Sequence, residues 1–240
     1  MLNVRSRFPP GRVGLFALGL ITSCGDRTGL DVQTVAGSVP DAATGPEAGA
    51  AMPRAVLFGG ENAGGDIFSD TWTFDGLAWT KLSVVGPTEF FVPAIAPLQG
   101  ALVLFGAESR RTIPVPYTWT WNGSVWTHLV VSGPSARELA VMAPLDEKLV
   151  LFGGLAVPES TTLSETWTWD GAAWARLGVA GPPARSGAVM APLNGALVLF
   201  GGEESDLNAL SDTWTWDGMA WTRLGVTGPS ARYDAVMATP

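Results

Sequence analysis

The sequence predicts an all-β fold, and three observations carry that expectation. Tryptophan and glycine are abundant, with 11 Trp and 30 Gly in 240 residues, a composition of strands and turns rather than helices. An apolar run ending in Phe-Gly recurs, its phenylalanines Phe58, Phe105, Phe152 and Phe200 lying 47, 47 and 48 residues apart. Each run is followed by a Thr-Trp-Thr-aromatic segment and later by Gly-Pro, at Gly86-Pro87, Gly133-Pro134, Gly181-Pro182 and Gly228-Pro229. A period of this length points to a blade-type repeat rather than a leucine-rich or helical solenoid.

Each unit offers four strands, taken here in order as A to D. Strand A is the Ala-rich segment after Gly-Pro, as in the sequences at 136–145 and 184–193. Strand B, Leu-Val-Leu-Phe at 149–152 and 197–200, is apolar on consecutive residues, which suits a strand covered on both faces. Strand C alternates threonine with tryptophan, so its aromatics share one face. The pairs Asp75-Gly76, Asn122-Gly123, Asp170-Gly171 and Asp217-Gly218 tolerate positive φ and reverse the chain into strand D. Four short antiparallel strands per unit, packed face to face around an axis, make a β-propeller.

Gly-Gly after an apolar strand, the later Asp-Gly turn and the Trp beyond it resemble the Kelch motif, in four copies over residues 54–240. The second unit departs from it, with Gly106-Ala107 for Gly-Gly and Thr88-Glu89 where the others have Ala136-Arg137, Ala184-Arg185 and Ala231-Arg232. The first unit begins at strand B, whereas residues 231–240 read as a strand A with no B after it. The resemblance therefore implies four blades, one of them completed by both ends of the chain in a monomer. A fragment of a longer ring, or a ring finished by oligomerisation, is the alternative.

The first residues read as an export signal. Arg5, Arg7 and Arg12 precede a short apolar stretch from Val13 to Thr22, too short to span a bilayer. Ile21-Thr22-Ser23-Cys24 follows and resembles the bacterial lipobox, with Cys24 as the acylated first residue of the mature protein. Cys24 is the only cysteine, so no intrachain disulfide can form. Residues 1–23 are thus expected to be a signal peptide and 24–53 a lipidated tether, with the propeller over 54–240. The tether is rich in small residues and proline, and as a flexible coil it spans roughly 30 Å. Gly25 is not the acidic residue that retains some lipoproteins at the inner membrane, so an outer-membrane anchor in a bacterial envelope is expected. Removing the signal leaves 11 basic residues against 22 acidic ones. That balance argues against nucleic acid as a partner and leaves the lipid as the only membrane contact.

The tryptophans could form a sugar-stacking platform or a core. They recur in every unit, as Trp72, Trp119, Trp167 and Trp214 and again as Trp79, Trp126, Trp174 and Trp221. Repetition blade by blade favours core, and each buried ring removes roughly 150–250 Å² from water. Arg137, Arg185 and Arg232 are expected to bond loop carbonyls around the ring, with an anion clamp as the alternative role. The units differ most in the loops between strands B and C, where recognition usually sits on a repeated scaffold. Their charged residues are the candidate binding set: Glu61 and Asp66; Glu108, Arg110 and Arg111; Glu159; and Glu203, Glu204 and Asp206. The last loop lacks the ligand spacing of a calcium loop, so no metal or other cofactor is expected. His128 is the only histidine, so neither a Ser–His–Asp triad nor a His-based metal site can be assembled. The expectation is a non-catalytic module for a protein or glycan ligand, with a carboxylate glycosidase as the alternative.

Overall fold

The computed structural model describes residues 55–88, 92–107 and 114–239. The expected signal, Cys24 and the tether lie outside them, as do Glu108, Arg110 and Arg111. The described chain is all-β and antiparallel. In chain order, β1 (Ala55–Phe58), β2 (Thr71–Phe74) and β3 (Trp79–Leu82) form a three-stranded first sheet. The second sheet, β4 (Ala94–Leu98), β5 (Ala101–Ala107), β6 (Pro116–Trp121) and β7 (Trp126–Leu129), has four strands in sequential order. A short ladder of β8 (Arg137–Glu138) and β11 (Leu155–Ala156) flanks the third sheet. That sheet is β9 (Val141–Leu145), β10 (Lys148–Phe152), β12 (Thr166–Trp169) and β13 (Trp174–Leu177). β14 (Val189–Leu193), β15 (Ala196–Phe200), β16 (Thr213–Trp216) and β17 (Trp221–Leu224) form the fourth.

The register repeats from sheet to sheet because the turns that set it repeat. Strands A and B meet in two-residue turns at Gln99-Gly100, Asp146-Glu147 and Asn194-Gly195, with positive φ at Gln99, Asp146 and Asn194. At the C–D turn Asp170 Oδ1 accepts the amides of Ala172 and Ala173 at 2.9 and 2.8 Å while Gly171 takes φ 100°. Asp75, Asn122 and Asp217 do the same in their units. Strand B then ends where Gly-Gly turns left-handed, at Gly59-Gly60, Gly153-Gly154 and Gly201-Gly202. At Gly153 a Cβ would come within 2.5 Å of the Arg185 carbonyl oxygen, so only glycine fits. Gly106-Ala107 has no left-handed pair, and β5 runs on through it.

Adjacent sheets meet face to face through one recurring joint. The Trp that opens strand D donates its indole N–H to the first threonine of strand C of the preceding sheet: Trp126 to Thr71, Trp174 to Thr118 and Trp221 to Thr166, each at 2.9 Å. The same rings sit edge-on to Phe58, Phe105 and Phe152 at 5.4, 5.3 and 5.3 Å. The glycine of each Gly-Pro pair lies against this indole, and a Cβ on Gly86, Gly133 or Gly181 would fall 2.7, 2.6 or 2.7 Å from its Cδ1. Around these joints Leu104, Leu149, Leu151, Leu197, Leu199 and Trp169 are fully buried. The tryptophans of this set are therefore core, as their repetition implied.

Trp79 is the exception. It is 43% exposed where Trp126, Trp174 and Trp221 are 4%, 8% and 8% exposed. The expected completion of the first sheet by residues 231–239 is not present in this structure, where that segment forms no strand and the first and fourth sheets share no ladder. The segment is held instead by the Arg232 and Asp234 amides, which donate to the carbonyls of Leu210 and Gly187 at 3.0 and 2.9 Å, while Val236 is 59% exposed.

Candidate functional site

The described B–C loops and the Gly-Pro turns share one rim, as antiparallel geometry requires. Arg185 N–H donates to the Leu163 carbonyl at 3.0 Å and Gly154 N–H to the Arg185 carbonyl at 2.9 Å, and Arg232 repeats both bonds with Leu210 and Gly202. The turn before the fourth sheet thus lies on the B–C loop of the third, and the segment after the fourth sheet lies on the B–C loop of the fourth.

Arg137 and Arg185 do not present their guanidinium groups to a ligand. Each is 1% exposed. Arg137 donates to the carbonyls of Gly153 and Ser135 and forms an ion pair with Glu165 at 2.6 Å. Arg185 donates to the carbonyls of Gly201 and Pro183 and holds both carboxylate oxygens of Asp212, at 2.6 and 3.0 Å. The backbone of Arg185 is bonded to the third unit and its side chain to the fourth, so it staples neighbouring units. Arg137 instead ties the turn before the third sheet to that sheet. Both guanidinium groups are engaged, which removes them from the binding set. Arg232 is different: it is exposed and donates only to the carbonyl and Oγ of Ser230 among these contacts.

The acids in these staples were not singled out by the sequence, although the signal was there. Glu165 and Asp212 stand one residue before their Thr-Trp-Thr-Trp strands, and each also accepts an indole N–H, from Trp167 at 3.2 Å and Trp214 at 2.7 Å. Asp70 takes the same place in the first unit, bound to Trp72 and Lys81. Burial pushes the Glu165 carboxyl up, but hydrogen bonds from Arg137 and Trp167 outweigh it and hold the group below its ordinary 4.5. Asp212 is lowered in the same way by Arg185 and Trp214. The second unit has Tyr117 at this position, and the indole nitrogen of Trp119 is buried there with no acceptor. That unit also carries Glu89 in place of the arginine, so both halves of the staple are exchanged together.

The remaining predicted residues fall into two groups. Asp66 is tied into its own loop by Asn62, whose amide donates to it at 2.8 Å, and Asp206 is held by Asn208 at 2.5 Å. The Glu203 backbone is bridged to Ser186. Glu61 and Glu159 are exposed on separate loops, and Glu204 is half-buried. The third and fourth loops touch through Thr162 and Ser205, 2.9 Å between hydroxyl oxygens. Among the described residues no group of three His, Cys, Asp or Glu side chains is placed to hold a metal, so Glu203, Glu204 and Asp206 do not converge. Two open clefts of about 430 and 380 Å³ lie beside Glu165 and Arg176 and beside Asp212 and Arg223. They occupy equivalent places on successive sheets, as a feature of the repeat does.

No protein-family model matches the chain, and the comparison with curated proteins finds no match. Among the described residues no helix is long and apolar enough to cross a membrane.

Proposed function

We propose that the chain is a Kelch-type β-propeller module, lipid-anchored at Cys24 to a bacterial envelope, that binds a protein or glycan with the rim of its B–C loops. The four units are its blades. The blade of β1–β3 is completed by an inner strand of the Val-Met-Ala kind found in β9 and β14, a pattern that residues 235–239 carry. The observation that carries the reading is a division of labour. What repeats, the Trp–Thr joints and the arginine staples, is engaged inside the scaffold. What differs between units is the B–C loops, which keep Glu61 and Glu159 exposed. Unlike loops held on like sheets are the arrangement from which binding surfaces are usually made.

Two measurements test it. Metabolic labelling with an alkyne fatty acid should tag the wild-type chain and not Cys24→Ser; equal labelling would remove the anchor from the account. Detergent-solubilised full chain on an array of bacterial glycans and envelope proteins should bind a ligand that the Arg110→Ala/Arg111→Ala/Glu204→Ala variant loses at an unchanged melting temperature. Binding retained by that variant would move the site off this rim.

A further inference from the structure

Among the described residues the two ends of the sheet array are unpartnered and complementary, and we propose that they join two copies of this chain head to tail. Three internal joints define what the open end of the fourth sheet accepts. Each consists of a strand B phenylalanine, a strand C threonine and a Gly-Pro glycine that together seat an indole from the next sheet. The fourth such seat is Phe200, Thr213 and Gly228, where the glycine faces Phe200 and Thr213 and no indole. Thr213 is half-buried where Thr71, Thr118 and Thr166 are 2%, 4% and 3% exposed. Leu193, at the other end of the same sheet, is 49% exposed, against 7% and 8% for its counterparts Leu98 and Leu145.

The first sheet presents the matching half. Trp79 is the residue equivalent to the three seated indoles, already stacked at 5.1 Å on Phe74 in the way that Trp126 stacks on Trp121. Leu57 is 37% exposed, while the same position in the other sheets, Leu104, Leu151 and Leu199, is 0% exposed. Charge agrees with shape. Arg137 and Arg185 each reach the first glycine carbonyl and the acid of the sheet that follows them. By the same geometry Arg232 reaches Gly59 O and Asp70 of a first sheet. The register of β9 on β10 and β14 on β15 then sets Val236 opposite Phe58, Met237 opposite Leu57 and Ala238 opposite Val56, giving that sheet its missing inner strand.

The chain's own first sheet does not fill this seat, since Trp79 stays open after three near-identical joints. A second copy, set on by the same step, supplies it. Head-to-tail contacts either close or run on as filaments. Two copies of four units close as a ring of eight, within the range of about four to eight blades seen in propellers. In that dimer the partner's Trp79 occupies the Phe200–Thr213–Gly228 seat, and the two open edges of each copy disappear together. The pairing does not depend on what the rim binds.

Sedimentation of the full chain in detergent at micromolar concentration tests it. A dimer is expected, with Trp79→Ala and Arg232→Asp each weakening it by about 30-fold or more, the size of an interface hot spot. Adding Asp70→Arg to Arg232→Asp should restore the dimer, a rescue that a folding defect would not show. A monomer overturns the proposal, whether its Trp79 is exposed or buried by closure within one chain. So does a dimer that Trp79→Ala leaves at wild-type strength.

Discussion

The second and third sheets have the same strands, the same register and the same joint to their neighbours, yet they carry different residues at the staple positions. Arg137 locks Glu165 and the Gly153 carbonyl in the third. In the second the corresponding residues are Glu89 and Tyr117, Gly-Gly is Gly-Ala, and Trp119 is left with an unpaired indole nitrogen. The second sheet forms without that arginine–carboxylate pair, and Trp174 still donates to Thr118 across the boundary. Sheets and joints are therefore built from the apolar strands and the Trp–Thr–Phe contact. The staple does something narrower, which is to fix where a B–C loop leaves its sheet.

The comparison breaks most severely at what the two sheets share. Trp174→Ala deletes a buried ring from the joint between them and should cost about 3–5 kcal/mol in a chemical melt. Arg137→Ala acts on the third sheet alone. It leaves Glu165 without its main partner, and because Glu165 keeps some contact with water the expected loss is about 3 kcal/mol, the low end for a broken buried pair. Amide exchange should rise in residues 153–165 and stay unchanged in β5 and β6. Thr118→Val keeps the shape of the joint and removes only the acceptor, a cost of about 1–3 kcal/mol for the stranded indole N–H. The smallest effect is acidic. Glu165 and Asp212 have folded pKa values below their ordinary 4.5 and 3.8. Their stabilisation is complete above those values and is lost as pH falls through the lower folded ones. Glu165→Gln should flatten the third sheet's share of that acid loss, seen as a melting temperature that falls less steeply below pH 4.5.

Much of this scaffold is legible in the residues. Consecutive apolar residues placed strand B, Thr-Trp alternation placed strand C, and Asp-Gly placed the reversal, because each is a local rule of backbone or face. Two of the three arginines bond loop carbonyls as expected, Arg137 to Gly153 and Arg185 to Gly201, while Arg232 reaches only Ser230. Their carboxylate partners were missed, since Glu165 lies 28 residues away and only the joint exchange of Glu89 and Tyr117 hints at the pair. The glycine of Gly-Pro read as a turn, whereas Gly133 is needed because Trp174 lies against it. That requirement comes from a neighbouring sheet, which no local rule contains. The tryptophans look equivalent in sequence and are not: burial depends on whether another sheet precedes, so Trp79 is open where Trp126 is closed. Of the candidate rim, Asp66 and Asp206 are engaged within their own loops, which spacing alone could not tell.

The central claim is that the recurring tryptophans are joints between sheets rather than a surface for ligands. Exchange of indole N–H protons, followed by NMR in deuterated water, tests it most directly. The account predicts that Trp126, Trp174 and Trp221, each bonded to a buried threonine, exchange only when the fold opens globally, and that Thr118→Val releases Trp174 alone. Rapid exchange of all three in the native protein, at the rate of an open indole, would contradict it.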